Sequence, residues 1–427
     1  MNLEARIAIE ALRAGVPNRA AVRLMGTDEP ALEQAFEEQL QRHWDNQAKP
    51  NTAPPRSPNA APPRSKEGFG IAGGFGSGKS HFLGYLAEVV RTHGFVVSRV
   101  VVSKETSLSD PARVFEAAVR SAVLPDRHDD AISGAMNALR QSRDRMAALE
   151  AAVATAGDAL APLFTALLHL VRRETLPPPF NRQIERFLAG GRIRAADIRN
   201  ALTSVGETRK FDLRMPAAAA LTEQRIRFLS MVFHAAGYTG WCLLFDEVEL
   251  IGRYTPLRRA LAYAQLAVWL GLDGVRAFPG IVAVYAITDD FVTAVIEDRQ
   301  DETRLEDRLR LKGRNDDARL AVSAMRHIAR TVRSHRLRAP GAEELVRTIP
   351  RLRAIYRDAY GWEPPAPAAV ERTATRTMRQ YVKGWITEWD MRRLTGETTR
   401  IVAEEITANY TEDDSLSMPP EPDGDQD

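Results

Sequence analysis

Apolar positions along this chain follow two rhythms, and the alternation between them predicts the fold class. Four short, nearly continuous apolar runs stand out: 69–72, 95–103, 240–245 and 281–287. Runs of this length without polar alternation suit strands buried on both faces, as in a parallel sheet. Between and beyond them, apolar residues recur at three- and four-residue spacing, the helical period. Residues 3–14 and 27–43 have it, separated by Gly15-Val-Pro-Asn and a short turn-prone stretch, so a plain helical hairpin is expected there. Residues 81–90 have it directly after the first apolar run. Asp110 before Pro111 reads as an N-cap followed by Pro in the first turn. From about 112 to 205 the chain is Ala-rich and helical, interrupted only at Leu176-Pro-Pro-Pro, which predicts a helical insertion between strands. Helical patterns return over 291–333 and beyond Pro340, with a break at Gly361-Trp-Glu-Pro-Pro and an amphipathic segment from Thr373 to Leu394.

These patterns divide the chain of 427 residues into five parts. A helical element (1–47) precedes a Pro-rich linker or disordered loop (48–66). An α/β core (67–339) carries the insertion, a helical region follows (340–410), and an acidic tail (411–427), expected to be disordered, closes the sequence. The single cysteine, Cys242, excludes an internal disulfide framework and lies in an apolar run, as a buried inert thiol does. No stretch approaches the roughly 20 apolar residues of a membrane span, and the first residues lack a secretory layout. The cytoplasm, with no membrane partner, is the expected compartment. Net charge is +2, but the segment after Tyr410 holds seven carboxylates and no Lys or Arg, so the body is more basic than the whole. Arg319, Arg326, Arg330 and Arg333 recur at helical spacing; a solvated helix face and a nucleic-acid phosphate-tracking face both fit that pattern.

The chemistry is concentrated at the end of the first apolar run. Gly73, Gly74, Phe75, Gly76, Ser77, Gly78, Lys79 and Ser80 fit G-x-x-x-x-G-K-[ST], the phosphate-binding P-loop. Glycines let successive N–H groups curl inward toward phosphate oxygens. Lys79 supplies a point charge for the β- and γ-phosphates of ATP, and the Ser80 hydroxyl is a hard ligand for Mg²⁺. His81 completes the candidate ATP-binding set at the start of the following helix, whose dipole favours phosphate. The third apolar run ends in Asp246-Glu247. Carboxylates at the C-terminal end of such a strand sit where ligands bind in open α/β sheets. Asp246 is the second candidate for Mg²⁺, and Glu247 the candidate general base for an attacking water. Glu249 is read as structural. Thr288, at the tip of the fourth run, is read either as a sensor bonding the γ-phosphate or the lytic water, or as part of an ordinary strand-ending turn.

With these segments in place the chain resembles the ATP-binding proteins of bacteriophage-exclusion (BREX) systems, of the BrxD type, which are similar in turn to the origin-recognition branch of AAA+ proteins. The likeness is carried by Ile9–Arg19, Ala72–Leu83, Val101–Pro111, Ala235–Tyr254 and Ala359–Trp362. The resemblance implies a P-loop AAA+ core with a parallel sheet, the large helical insertion and a C-terminal helical lid. It implies a lid arginine reaching the γ-phosphate, here Arg376, although Thr375-Arg376 stands where the family has Pro-Arg. It also implies an ATPase of an antiviral system that self-assembles and acts with duplex DNA or a helicase-like partner. Two other classes stay open on the residues alone: a tight ATP-binding assembly or signalling scaffold with little turnover, and a small-molecule kinase. Glu247 favours hydrolysis over the first, because a pure binder needs no base.

Overall fold

A computed structural model describes residues 2–47, 67–127, 130–173, 178–207, 211–272, 278–338, 340–366, 377–396 and 409–417. The Pro-rich segment 48–66 and Arg376 lie outside the described residues. Three helices open the chain: α1 (Leu3–Ala14), α2 (Arg19–Met25) and α3 (Pro30–Gln47). The apolar runs become four strands, β1 (Phe69–Ala72), β2 (Val96–Val101), β3 (Trp241–Asp246) and β4 (Ile281–Ile287). Helix α4 (Lys79–Thr92) links β1 to β2. Six helices follow β2: α5 (Pro111–Arg120), α6 (Ala131–Arg140), α7 (Arg143–Ala156), α8 (Pro162–Val171), α9 (Pro178–Leu188) and α10 (Ala195–Ser204); α11 (Ala218–Ala235) then leads into β3. Helix α12 (Pro256–Trp269) lies between β3 and β4; α13 (Asp301–Leu311), α14 (Asn315–Ser334), α15 (Ala342–Tyr360) and α16 (Met378–Thr395) follow. No helix among the described residues is long and apolar enough to cross a membrane.

The sheet is parallel throughout, in the order β1-β4-β3-β2. Outside β1 the chain makes one more parallel contact, where Ala72 N–H donates to His335 O and Leu337 N–H to Ala72 O, each at 2.8 Å. A parallel sheet buries both faces under its crossovers, and here the two faces belong to different cores. Phe69, Ile71, Cys242, Leu244, Val284 and Val97 pack against Phe82, Leu86 and Val90 of α4 and Leu32, Phe36 and Leu40 of α3. The alternate residues Trp241, Leu243, Phe245, Tyr285, Ile287 and Val100 pack into a core shared with α5–α12 and α14. The period of two in a strand sorts the residues this way. Cys242 is fully buried, and burial pushes its thiol above the ordinary range.

A third core joins segments that are far apart in sequence. Ala5, Ala8, Ile9 and Ala21 of α1 and α2 pack with Leu345, Leu352, Tyr356, Trp385, Ile386 and Trp389 of α15 and α16. Arg13 bonds Asp390 through Nε at 2.9 Å and Tyr360 Oη through Nη2 at 3.0 Å. The first two helices therefore pack with the C-terminal helices, while α3 packs under the sheet. Helical periodicity reveals an apolar face but not the partner that covers it. It also missed α2, seven residues long, which Asn18 caps by accepting from Ala21 N–H at 2.9 Å.

Candidate nucleotide-binding site

Residues 73–78 turn sharply between β1 and α4. Gly73 N–H donates to Ile287 O at 3.1 Å, holding the loop to the end of β4. Gly76 (φ 71°) and Gly78 (φ 102°) lie in the left-handed region, which glycine enters at no steric cost. A Cβ on Gly73 would stand 2.4 Å from Ser77 Oγ. That hydroxyl is buried and has no hydrogen-bond partner among the described residues. Lys79 Nζ folds back over the loop, donating to Gly73 O at 3.0 Å and Gly74 O at 3.3 Å. Ser80 is the second residue of α4, where helical N–H groups lack intrahelical acceptors. His81 turns its ring away, placing Nε2 2.7 Å from Gly26 O, and burial lowers its pKa. Its main-chain N–H, rather than its imidazole, is left for a ligand.

β3 delivers its carboxylates to the same end of the sheet. Asp246 is buried and accepts from Arg99 Nη2 at 2.5 Å; Glu247 N–H donates to Asp246 Oδ1 at 3.1 Å. Glu247 takes φ 60° and ψ 34°, a left-handed conformation that few non-glycine residues adopt. Such strain collects at functional positions. Its carboxylate is half-buried, and burial followed by the Asp246 charge raises its pKa. Glu249, read from sequence as structural, reaches the P-loop: Oε1 lies 3.5 Å from Lys79 Nζ. Burial pushes its carboxyl up to about 7, with Lys79 pulling the other way.

Thr288 is 1 % exposed at the tip of β4, and its side-chain contact is Tyr410, the residue just before the acidic stretch. Tyr410 Oη meets Thr288 Oγ1 and donates to Asp290 Oδ1 at 2.8 Å, while its ring stands edge-on to Phe291 with centroids 5.8 Å apart. The residues after it are pinned to the core. Glu412 accepts from Arg259 Nη1 at 3.0 Å, Asp413 from Arg253 Nη2 at 2.7 Å, and Leu416 O from Arg258 Nη1 at 2.7 Å. Arg259 is itself held by two bonds to the buried Asp301, at 2.7 and 2.9 Å. The stretch expected to be a disordered tail from residue 411 is thus docked over 411–417, because its carboxylates find fixed arginines; residues 418–427 lie outside the described residues.

A cleft opens from the P-loop between the first and last helices, lined by Met25 and Asp28, by Ser77, Gly78 and Phe82, and by Thr348, Arg379 and Val382. Arg379 has no ion pair among the described residues, and its charge favours the ionised form of Glu247. Arg379 thus lines the cleft, while Arg376 lies outside the described residues.

Residues 68–143 match the family model of the BREX system ATP-binding protein BrxC/D. No curated protein and no solved structure matches the chain. The matched stretch contains β1, residues 73–80, α4, β2, α5 and α6, so the BrxC/D-like likeness falls on the glycine-rich turn and the elements around it. Asp246, Glu247 and Thr288 lie outside it. The basic face on α14 is largely neutralised within the protein. Arg319 pairs with Asp316 at 3.2 Å, Arg326 with Glu302 at 2.7 Å and Arg330 with Glu67 at 3.0 Å.

Proposed function

We propose that this protein binds and hydrolyses ATP as an AAA+ nucleotide-dependent switch or loader in a BREX-type anti-phage system of the bacterial cytoplasm. The observation that carries the reading is the 3.5 Å ion pair between Lys79, at the start of α4, and Glu249, two residues past the Asp246-Glu247 end of β3, at the C-terminal end of a parallel sheet. Main-chain N–H groups of 74–76 and 78–81 cradle the phosphates and Lys79 neutralises them. The orphaned Ser77 hydroxyl and the glycine at 73, where a Cβ does not fit, suit a loop built to face a ligand. The donor set suits Mg²⁺, which keeps most of its waters and needs only one or two protein oxygens; Ser80 and Asp246 would hold it. When bound, it supplies charge neutralisation at the phosphates. The cleft beside the loop takes the base and ribose, and Arg379 the γ-phosphate.

Glu247 acts as general base. Thr288 has a narrower role than its position alone allows. An ionised Asp290 only accepts hydrogen bonds, so the Tyr410 hydroxyl donates to it, and Thr288 then donates to Tyr410. The free lone pairs of Thr288 accept, which suits the lytic water and not a phosphate oxygen. Tyr410→Phe removes the acceptor that fixes this direction. Turnover is expected to fall about three- to tenfold, the worth of one hydrogen bond, with ATP affinity unchanged; equal turnover in the variant removes Thr288 from the water.

Self-assembly, duplex DNA and a helicase-like partner enter the proposal from the family likeness, since three of the four α14 arginines, Arg319, Arg326 and Arg330, already have carboxylate partners. Phosphate release with Mg²⁺ and water alone, measured across a range of protein concentrations, tests the reading. Specific activity is expected to rise with concentration if a neighbour supplies an arginine, an effect worth about 10³–10⁵. Binding of ATP without phosphate release would favour a scaffold, and a need for an acceptor other than water would favour a kinase.

A further inference from the structure

Glu249 has an environment that a structural carboxylate does not explain. Its side chain is 5 % exposed, and neither oxygen has a hydrogen-bond partner among the described residues. Its one counter-charge among the described residues is Lys79, at 3.5 Å, itself 8 % exposed. A buried carboxylate left without hydrogen bonds pays a desolvation cost that one long ion pair repays poorly. The cost falls on the residue facing the P-loop lysine, and Asp246 and Glu247 add like charge nearby. Lys79, for its part, meets two main-chain carbonyls, this carboxylate and the Phe75 ring, 5.3 Å from its centroid, among the described residues.

We propose that Glu249 is a phosphate placeholder: its carboxylate neutralises Lys79 while the cradle is empty and gives the lysine up when a nucleoside polyphosphate enters. The inference rests on the reading of residues 73–80 as a phosphate site. It makes Glu249 a positioning residue that sets nucleotide affinity through Lys79, not a group that touches the reacting atoms. The placeholder holds the ammonium where the phosphates will need it, and it weakens binding because each binding event must first break the pair. Arg99 on Asp246 is arranged in the same sense, with the second site carboxylate also tied to a cation of the chain itself.

The test is Glu249→Gln, which keeps the shape and removes the charge, studied in the full chain at pH 8 by calorimetric titration and thermal unfolding. ATP and ADP, which reach Lys79, are expected to bind about tenfold more tightly than to the wild type, whereas AMP, whose single phosphate does not, binds equally. The nucleotide-free variant melts at a lower temperature, because Lys79 has lost its counter-charge, and the rise in melting temperature caused by saturating ATP is larger than in the wild type. If Glu249→Gln does not fold, Glu249→Asp retracts the carboxylate by one methylene and is expected to shift affinity in the same direction by less. Unchanged or weaker ATP binding, with the melting temperature lowered equally with and without ATP, overturns the placeholder and leaves Glu249 structural. A wild type that binds no ATP at all overturns the phosphate-site reading and the placeholder with it.

Discussion

Glu247→Gln is expected to lower ATP turnover by about 10²–10⁴, the usual contribution of a positioned general base, while leaving ATP binding intact. The amide preserves size and hydrogen-bonding reach but cannot take the proton of an attacking water. The environment of Glu247 suits the role: a left-handed residue at the end of β3 whose pKa is raised by burial and by Asp246, toward the range where a carboxylate is a better base. Three cations, Lys79, Arg379 and Arg99, lower it in the opposite direction. The nearest competing carboxylate is Glu249, so undiminished turnover in Glu247→Gln, checked by phosphate release, would move the base there.

Lys79→Ala is expected to abolish nucleotide affinity and hydrolysis together. The lost ammonium is the charge for the β- and γ-phosphates, and main-chain N–H groups alone do not replace it. The structure adds a consequence for stability. Sequence alone suggests a lysine waiting unpaired for ligand, whose removal leaves the empty protein untouched. Because Lys79 faces the buried Glu249, its removal strands a carboxylate, and breaking a buried pair costs about 3–5 kcal/mol. Proton uptake by Glu249, whose carboxyl already sits at about 7, limits that loss. Lys79→Ala combined with Glu249→Gln is therefore expected to recover much of the melting temperature and none of the ATP binding. Calorimetric titration and thermal unfolding on the two variants separate the effects; ATP binding retained by Lys79→Ala would contradict the P-loop assignment.

The elements whose signal is local were legible in the sequence. Buried parallel strands are continuous apolar runs, so β1, β3 and β4 lie where those runs lie; residues 73–80 are marked by a motif with fixed spacing, and Asp246 by its place at the end of an apolar run. What was not legible depends on contacts between distant segments. Glu249 stands two residues past Glu247, and nothing in its spacing says that the turn after β3 aims it at Lys79. Tyr410 lies 122 residues from the threonine it bonds; its acidic neighbours look like a solvated terminus until Arg253 and Arg259 are seen facing them. The α14 arginines pose the converse case, since a basic stripe read in isolation hides the carboxylates that Glu302 and Glu67 bring from other segments. Arg379 lines the cleft beside residues 77 and 78, a placement that its spacing in the sequence does not reveal, while Arg376 lies outside the described residues. One usable signal was present: a third carboxylate beside a P-loop partner strand, in Glu247-Val248-Glu249, is one more than hydrolysis requires.

The most direct test of the central claim is the nucleotide that stays bound after incubation with Mg²⁺ and ATP, identified in the wild type and in Glu247→Gln. The account predicts ADP and released phosphate with the wild type, and ATP retained without phosphate release by the variant. ATP retained intact by both proteins would contradict hydrolysis at this site, and ADP produced equally by both would contradict Glu247 as its base.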